Sequence, residues 1–142
     1  MSLIQPALFQ FLSSITELTD VIETKIYPAG AVPTGTQLPY LTWNKTDNVH
    51  THHQGGSSGL AEPRLQLDIW ATTEYAAALT FDILRRNLDG FVGTWGVGAD
   101  EVTIRVSILE TDREDYSPPD DGTQRGAHRA SGDFLVWFVE GG

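Results

Sequence analysis

Four stretches of this chain alternate apolar and polar residues with the period of two that a half-buried β-strand requires, and one stretch among them carries a helical period instead. Tyr40 to Asp47 puts Leu41, Trp43 and Lys45 on one face and Tyr40, Thr42 and Asn44 on the other. Arg64 to Ala71 turns Leu65, Leu67 and Ile69 inward, with Arg64, Gln66 and Asp68 outward. Glu101 to Leu109 repeats the pattern with Val102, Ile104, Val106 and Ile108 inward. Ala130 to Val139 is the last strand. It is apolar on both faces from Phe134 onward, which suits a central or interface position. Between the second and third strands, Ala77, Phe81, Leu84 and Leu88 form one helical stripe flanked by Ala76, Leu79 and Ile83. Thr72 or Thr73 caps this helix, Glu74 sits in its first turn, Arg85 and Arg86 in its last, and Asp89-Gly90 stops it.

Leu3, Ala7, Leu8, Phe11 and Leu12 are spaced for an N-terminal helix over residues 3–14, with Pro6 tolerated in its first turn. A second helical turn follows over Thr16 to Val21, then the short apolar stretch Lys25-Ile26-Tyr27-Pro28. Gly30, Pro33, Gly35 and Pro39 mark residues 29–39 as loop. His50 to Gly59, ending in Gly55-Gly56-Ser57-Ser58-Gly59, reads as a long mobile loop, and Glu110 to Gly126 as a long polar one. The order helix, two strands, helix, two strands predicts an α+β fold. Its antiparallel sheet has about four to five strands, with two main helices packed on one face. All 142 residues are expected to form a single domain.

Composition removes several function classes. There is no cysteine, so disulfides, thiol catalysis and thiolate metal sites are excluded. No apolar run approaches the roughly 20 residues that cross a bilayer, and Met1 to Pro6 lacks the basic start of a secretory signal. No membrane association is expected, and the protein is expected to stay in the cytoplasm until it is assembled into something. A net charge of −10 with nine scattered cations argues against specific nucleic-acid binding, whose affinity comes from Lys and Arg displacing counterions.

The chemistry-bearing clusters are few. His50, His52 and His53 could ligate zinc, copper or nickel, but they open a Gly/Ser-rich stretch, and a catalytic zinc needs rigidly held ligands. A solvated loop is the preferred reading. Glu110, Asp112, Glu114, Asp115, Asp120 and Asp121 crowd carboxylates together, yet Pro118-Pro119 breaks the register of a calcium loop. The glycines at 55–59 are followed by neither Lys-Ser nor Lys-Thr, so they are not a phosphate loop. Trp43, Trp70, Trp95 and Trp137 lack the interleaved cations of a single-strand-binding platform, which leaves core or subunit interface. No cofactor and no catalytic residue is expected.

Taken together, the order of short motifs resembles the tail-completion (tail-to-head joining, or tail terminator) family of long-tailed phages. The features begin with a short helix around Ala7-Leu8-Phe9, then Lys25-Ile26-Tyr27-Pro28 and Leu38-Pro39-Tyr40-Leu41-Thr42-Trp43. Arg64-Leu65-Gln66-Leu67-Asp68-Ile69-Trp70-Ala71 follows, leading to a helix that closes on Leu88-Asp89-Gly90-Phe91. The C-terminal third is the most specific: Glu110-Thr111-Asp112-Arg113-Glu114-Asp115-Tyr116, then Pro118, Gly122, Arg125 and Arg129, into Ser131-Gly132-Asp133-Phe134. Val49 to Gly59 matches no motif of the family.

The resemblance implies a structural virion protein of the tail and neck, assembled in the host cytoplasm as a ring, commonly a hexamer. That ring would cap the head-proximal end of the tail tube, with the tail tube protein and the head connector protein as partners. The residues expected at its interfaces are Arg113, Asp115, Tyr116, Asp120, Asp121, Arg125 and Arg129. Pairs between these cations and carboxylates would set register between subunits more than affinity. Another connector or minor tail protein of the same fold is the alternative. A metal-dependent hydrolase built on His50, His52 and His53 is the distant one.

Overall fold

A computed structural model of the chain describes residues 4–53, 56–117 and 127–139. Two short helices, α1 (Ile4–Ser13) and α2 (Thr16–Ile22), precede strands β1 (Ile26–Pro28), β2 (Tyr40–His53) and β3 (Gly56–Ala71). Helix α3 (Glu74–Leu88) leads to β4 (Phe91–Trp95), a 3-10 turn at Gly98–Asp100, then β5 (Val102–Ser117) and β6 (Ala127–Val139). The strands form one sheet in the order β1-β2-β3-β6-β5-β4. The mixed helix-and-sheet class is as read from the sequence, but the described sheet has six strands, and β1 pairs with β2 in parallel. The two additional strands are the short outermost ones. Neither Ile26–Pro28 nor Phe91–Trp95, interrupted by Gly93, carries enough alternation to be read as strand.

The sheet is held from one side. Helix α3 lies across β3, β6 and β5, α1 packs against β4, and α2 bridges α1 and α3. Thr73 caps α3 by accepting a 3.0 Å bond from the Ala76 N–H, so the capping position and the Arg85-Arg86 end are as the sequence predicts. The stripe Ala77, Phe81, Leu84 and Leu88 is buried against Leu65, Leu67, Ile69, Phe134 and Val136 in one continuous core. Each such side chain contributes roughly 1.5–3 kcal/mol by leaving water.

Helix α1 reaches the same core from the far edge. Phe11 stacks on the buried Trp95 at 5.2 Å, and Gln10 closes the contact with both ends of its amide. The Gln10 Nε2 donates to Asp100 Oδ2 at 2.8 Å, and its Oε1 accepts from the Val97 N–H at 2.8 Å.

Three expectations from the sequence are corrected. His50 to Gly59 was expected to be loop, but β2 and β3 run on as a paired hairpin to His53 opposite Gly56, with Gln54 and Gly55 outside the described residues. Glu110 to Gly126 was expected to be loop as well. Residues 111–117 instead pair with 127–133, and only 118–126 lie outside the described residues. In the second segment the β5 side chains from Thr111 to Tyr116 are exposed along the margin of α3. A strand without a core face to bury has no reason to alternate, so it reads as loop.

The third correction concerns β5. Val102 and Ile104 are buried as expected, but Ile104 pairs with Phe138 and Val106 with Trp137, so Arg105 is an extra residue. This bulge reverses the faces: Ser107 takes the core side and Ile108 is exposed. A second irregularity at Glu110, between the Leu109–Phe134 and Thr111–Asp133 pairs, restores the alternation.

Gly132 is the point where α3 comes nearest the sheet. It sits opposite Leu67 and Asp112, and a Cβ there would overlap the Phe81 ring and crowd Leu109. Gly132→Ala should therefore lower stability by about 1–3 kcal/mol through overpacking. The reading is a lower urea midpoint at unchanged slope. An unchanged midpoint would show that Phe81 is not seated on the β6 backbone.

Candidate interface on the open face of the sheet

The face of the sheet turned away from the helices is built from successive cross-strand rows. Paired residues on adjacent strands share a face, so the registers of β2, β3, β6 and β5 define each row. The outermost row is Tyr40, Trp70, Arg129 and Asp115. Thr42, Asp68, Ser131 and Arg113 form the next, then Asn44, Gln66, Asp133 and Thr111. Beyond them the face becomes apolar, with Leu135 opposite Ile108 and Trp137 opposite Val106.

Each polar row is closed by its own contacts. In the first, Tyr40 stacks on Trp70 with centroids 6.3 Å apart, and the Arg129 guanidinium stands 5.5 Å from the Trp70 ring centre. Arg129 then pairs with Asp115, so one unbroken chain of stacking, cation–π and ionic contact crosses four strands. The Trp70 Nε1 donates to Thr42 Oγ1 at 3.0 Å and ties the first row to the second. There Asp68 is buried at 6% exposure, with both carboxylate oxygens accepting from the Gln66 Nε2 at 3.2 Å. Ser131 is buried beside it, and its hydroxyl finds no hydrogen-bond partner among the described residues. Arg113 reaches Asp133 at 3.5 Å, and Arg64 bonds Glu110 at 2.8 Å.

Electrostatics follows exposure. Partial burial pushes the Tyr40 hydroxyl above its ordinary pKa, because the phenolate would lose hydration. On the solvent side of α3, hydrogen bonds from Arg85 and then Arg86 hold the Asp82 carboxyl below the usual range. The pairs at either site are exposed and screened by solvent. They fix geometry rather than hold the fold together.

Of the residues expected at interfaces, Arg113, Asp115 and Arg129 come together on this open face, within two adjacent rows. Inside the protomer both arginines already have partners, Asp133 and Asp115. Tyr116 falls on the opposite face, where its ring meets His128 at 4.8 Å. Asp120, Asp121 and Arg125 lie outside the described residues. His50, His52 and His53 have their backbone in β2, but their side chains are outside the description, as is any metal reading placed on them. Sequence reasoning missed Tyr40, Thr42 and Asp68 as site residues and left Trp70 as core or subunit interface. Their signal was present in the polar half of the alternation, but only the registers bring those positions beside Arg129 and Arg113.

Among the described residues, the cleft between α3 and β5 is lined by Asp82, Arg85, Asp112, Arg113 and Glu114, unlike the apolar enclosure of a ligand site.

The raised Tyr40 pKa gives a direct check on the first row. In a spectrophotometric titration, the phenolate signal lost in Tyr40→Phe should appear above pH 10, the ordinary tyrosine value. Because the folded pKa exceeds the unfolded one, this contribution to stability is complete below about pH 10 and is lost as pH rises through the folded value. A signal lost at or below pH 10 would mean that Tyr40 is not shielded by Trp70.

Comparison with known proteins accords with this picture. No curated protein matches the chain. Among solved structures, a chain from the virion of a native gene transfer agent (GTA) particle superposes with a TM-score of 0.68 at 16% identity. The match covers 99% of this chain and 96% of that one, a likeness of fold. The family described as Tail completion protein gp17 matches residues 6–91, from α1 to the start of β4. The C-terminal third, whose motifs make the resemblance most specific, lies outside that match. The matched span exceeds half of the sequence, and the chain belongs to this tail-completion family of structural phage tail proteins, which are virion components and not enzymes.

Proposed function

We propose that this protein caps the head-proximal end of a phage tail tube as a ring, stops growth of the tube and presents a surface to the head connector. The observation that carries the proposal is membership of the tail-completion family over residues 6–91, together with a fold seen in a gene transfer agent virion. Three structural features suit the role. One sheet face is covered by helices while the other is open and patterned. The open face is built of polar rows tied together by hydrogen bonds and an ion pair, which keeps it wettable before assembly. A net charge of −10 keeps free copies apart and gives a channel wall that does not trap a passing phosphate backbone. The ring is taken to be a hexamer, with the tail tube protein on one side and the connector on the other. Arg113, Asp115, Tyr116, Asp120, Asp121, Arg125 and Arg129 are proposed as contact residues.

Deleting the gene from its parent phage or prophage tests the role. Electron micrographs of the lysate should show filled heads separated from unattached or overlong tails. Normal infectious particles would overturn the assignment. A finer test is Arg125→Glu, which should lower the yield of joined particles at least tenfold while leaving the circular dichroism of the purified chain unchanged. An undiminished yield would remove Arg125 from the interface. Recovery of the chain with the connector alone, and never with the tube protein, would favour a connector protein of the same fold.

A further inference from the structure

The sheet has two open edges, and they lie at opposite corners. On one side β1 pairs only with Leu41 to Trp43 of β2. Among the described residues no strand pairs with that side of β2 from Asn44 to His53. On the other side β4 pairs with β5 only from Val102 to Ser107. Ile108 to Ser117 of β5 has no described neighbour on that side. Each open segment is ten residues long. Apart from the Leu109 N–H, which donates to Asp89 Oδ1 at 3.0 Å, the outward-directed N–H and C=O groups of each segment are available to another chain, a condition natural proteins usually guard against with proline, lysine or a short strand. Neither described edge contains proline, and only Lys45 supplies a lysine.

Resting on the ring reading above, we infer that the two edges are the two halves of one joint: β2 of one copy adds to β5 of the next, continuing the sheet from subunit to subunit. Direction permits it. The strands β2, β3, β6 and β5 alternate antiparallel, so the strand that follows β5 in an antiparallel sheet runs as β2 does. An identically oriented neighbour supplies that strand, which is the head-to-tail contact that generates rings.

The short strands fix how far the neighbour slides. β1 covers the beginning of β2 and β4 covers the beginning of β5, so only the two C-terminal halves can meet. Bringing them together takes a stagger of about five residues, roughly 17 Å at ~3.4 Å per residue. Four strands at ~4.8 Å give about 19 Å of sheet width per subunit. The resulting tilt of about 40° falls in the 35–45° range of closed barrels.

Charge selects this pairing over the alternative in which two β5 edges meet about a twofold axis. The β5 segment carries Glu110, Asp112, Glu114 and Asp115 against the single Arg113. Two such segments face to face would set carboxylates opposite carboxylates, which is destabilising in a sheet. The β2 segment holds one carboxylate, Asp47, with Lys45 and three histidines. It is the complementary strand available on the same chain.

The absence of cysteine from the sequence makes cross-linking a clean test. Particles are assembled with the double variant Asn48→Cys/Asp112→Cys, and with Asn48→Cys/Glu114→Cys to cover a neighbouring register, then oxidised mildly. A ladder of covalent multimers from either double variant, with none from the single variants, is the expected result. A covalent dimer from Glu114→Cys alone would replace the joint with twofold pairing and overturn the inference. Multimeric rings seen by electron microscopy, but with no ladder from either double variant, would overturn it while leaving the ring intact. A chain that is monomeric even in finished particles would overturn both.

Discussion

Pairing of β3 with β6 beneath α3 is the constraint on which the other elements depend. Residues 60–71 and 128–139 are far apart in sequence, yet their register brings Leu65 beside Phe134, Leu67 beside Gly132 and Ile69 beside Ala130. That arrangement places large side chains around one position with no side chain at all, and Phe81 fills the space. Slipping either strand by one residue would turn the buried leucines to the open face and the polar rows into the core. The same register that builds the core therefore also builds the open face. Trp70 meets Arg129, and Asp68 meets Ser131, because Ile69 must meet Ala130.

The parts of the fold legible in the sequence are those that this core dictates. The stripe of α3, its cap at Thr72 or Thr73 and the inward face of Leu65 to Ile69 are read directly from spacing, since burial imposes a period. Legibility ends where the core ends. The outer half of the β2–β3 hairpin and the β5–β6 arm past Leu109 carry no apolar period, and their pairing follows from backbone hydrogen bonds that leave no mark on composition. The bulge at Arg105 is invisible for a different reason. Val-Ser-Ile-Leu continues an alternation that the backbone has reversed, so pattern and structure disagree from Val106 to Leu109.

The candidate site was partly legible on the same terms. Arg113, Asp115 and Arg129 stand out as charges in a family-like motif, and the structure gathers them on one face. Tyr116 follows in the motif yet falls on the opposite face, because adjacent strand residues point oppositely. Tyr40 reads as a strand residue only, and Trp70 as core or subunit interface. Their membership of the same row depends on a β2–β3 register and a β3–β6 register together, which spacing along the chain does not supply.

A division of labour follows from how the core is distributed. The middle of the sheet is backed by helices and draws its stability from apolar burial. Past Leu109, β5 exposes its side chains from Glu110 to Tyr116 at the margin of that backing. Side chains left in water bury little apolar surface, so this margin adds little to the stability of the free protomer. A partner strand added at this edge would satisfy its open backbone hydrogen-bonding groups. The margin can then change in response to assembly without unfolding the protein, because the residues that hold the protomer together are not those that would hold it to its neighbours. Charge follows the same division. The carboxylates collect on β5 beyond Leu109, outside the core, where their mutual repulsion costs the protomer little and discourages a second β5 from docking.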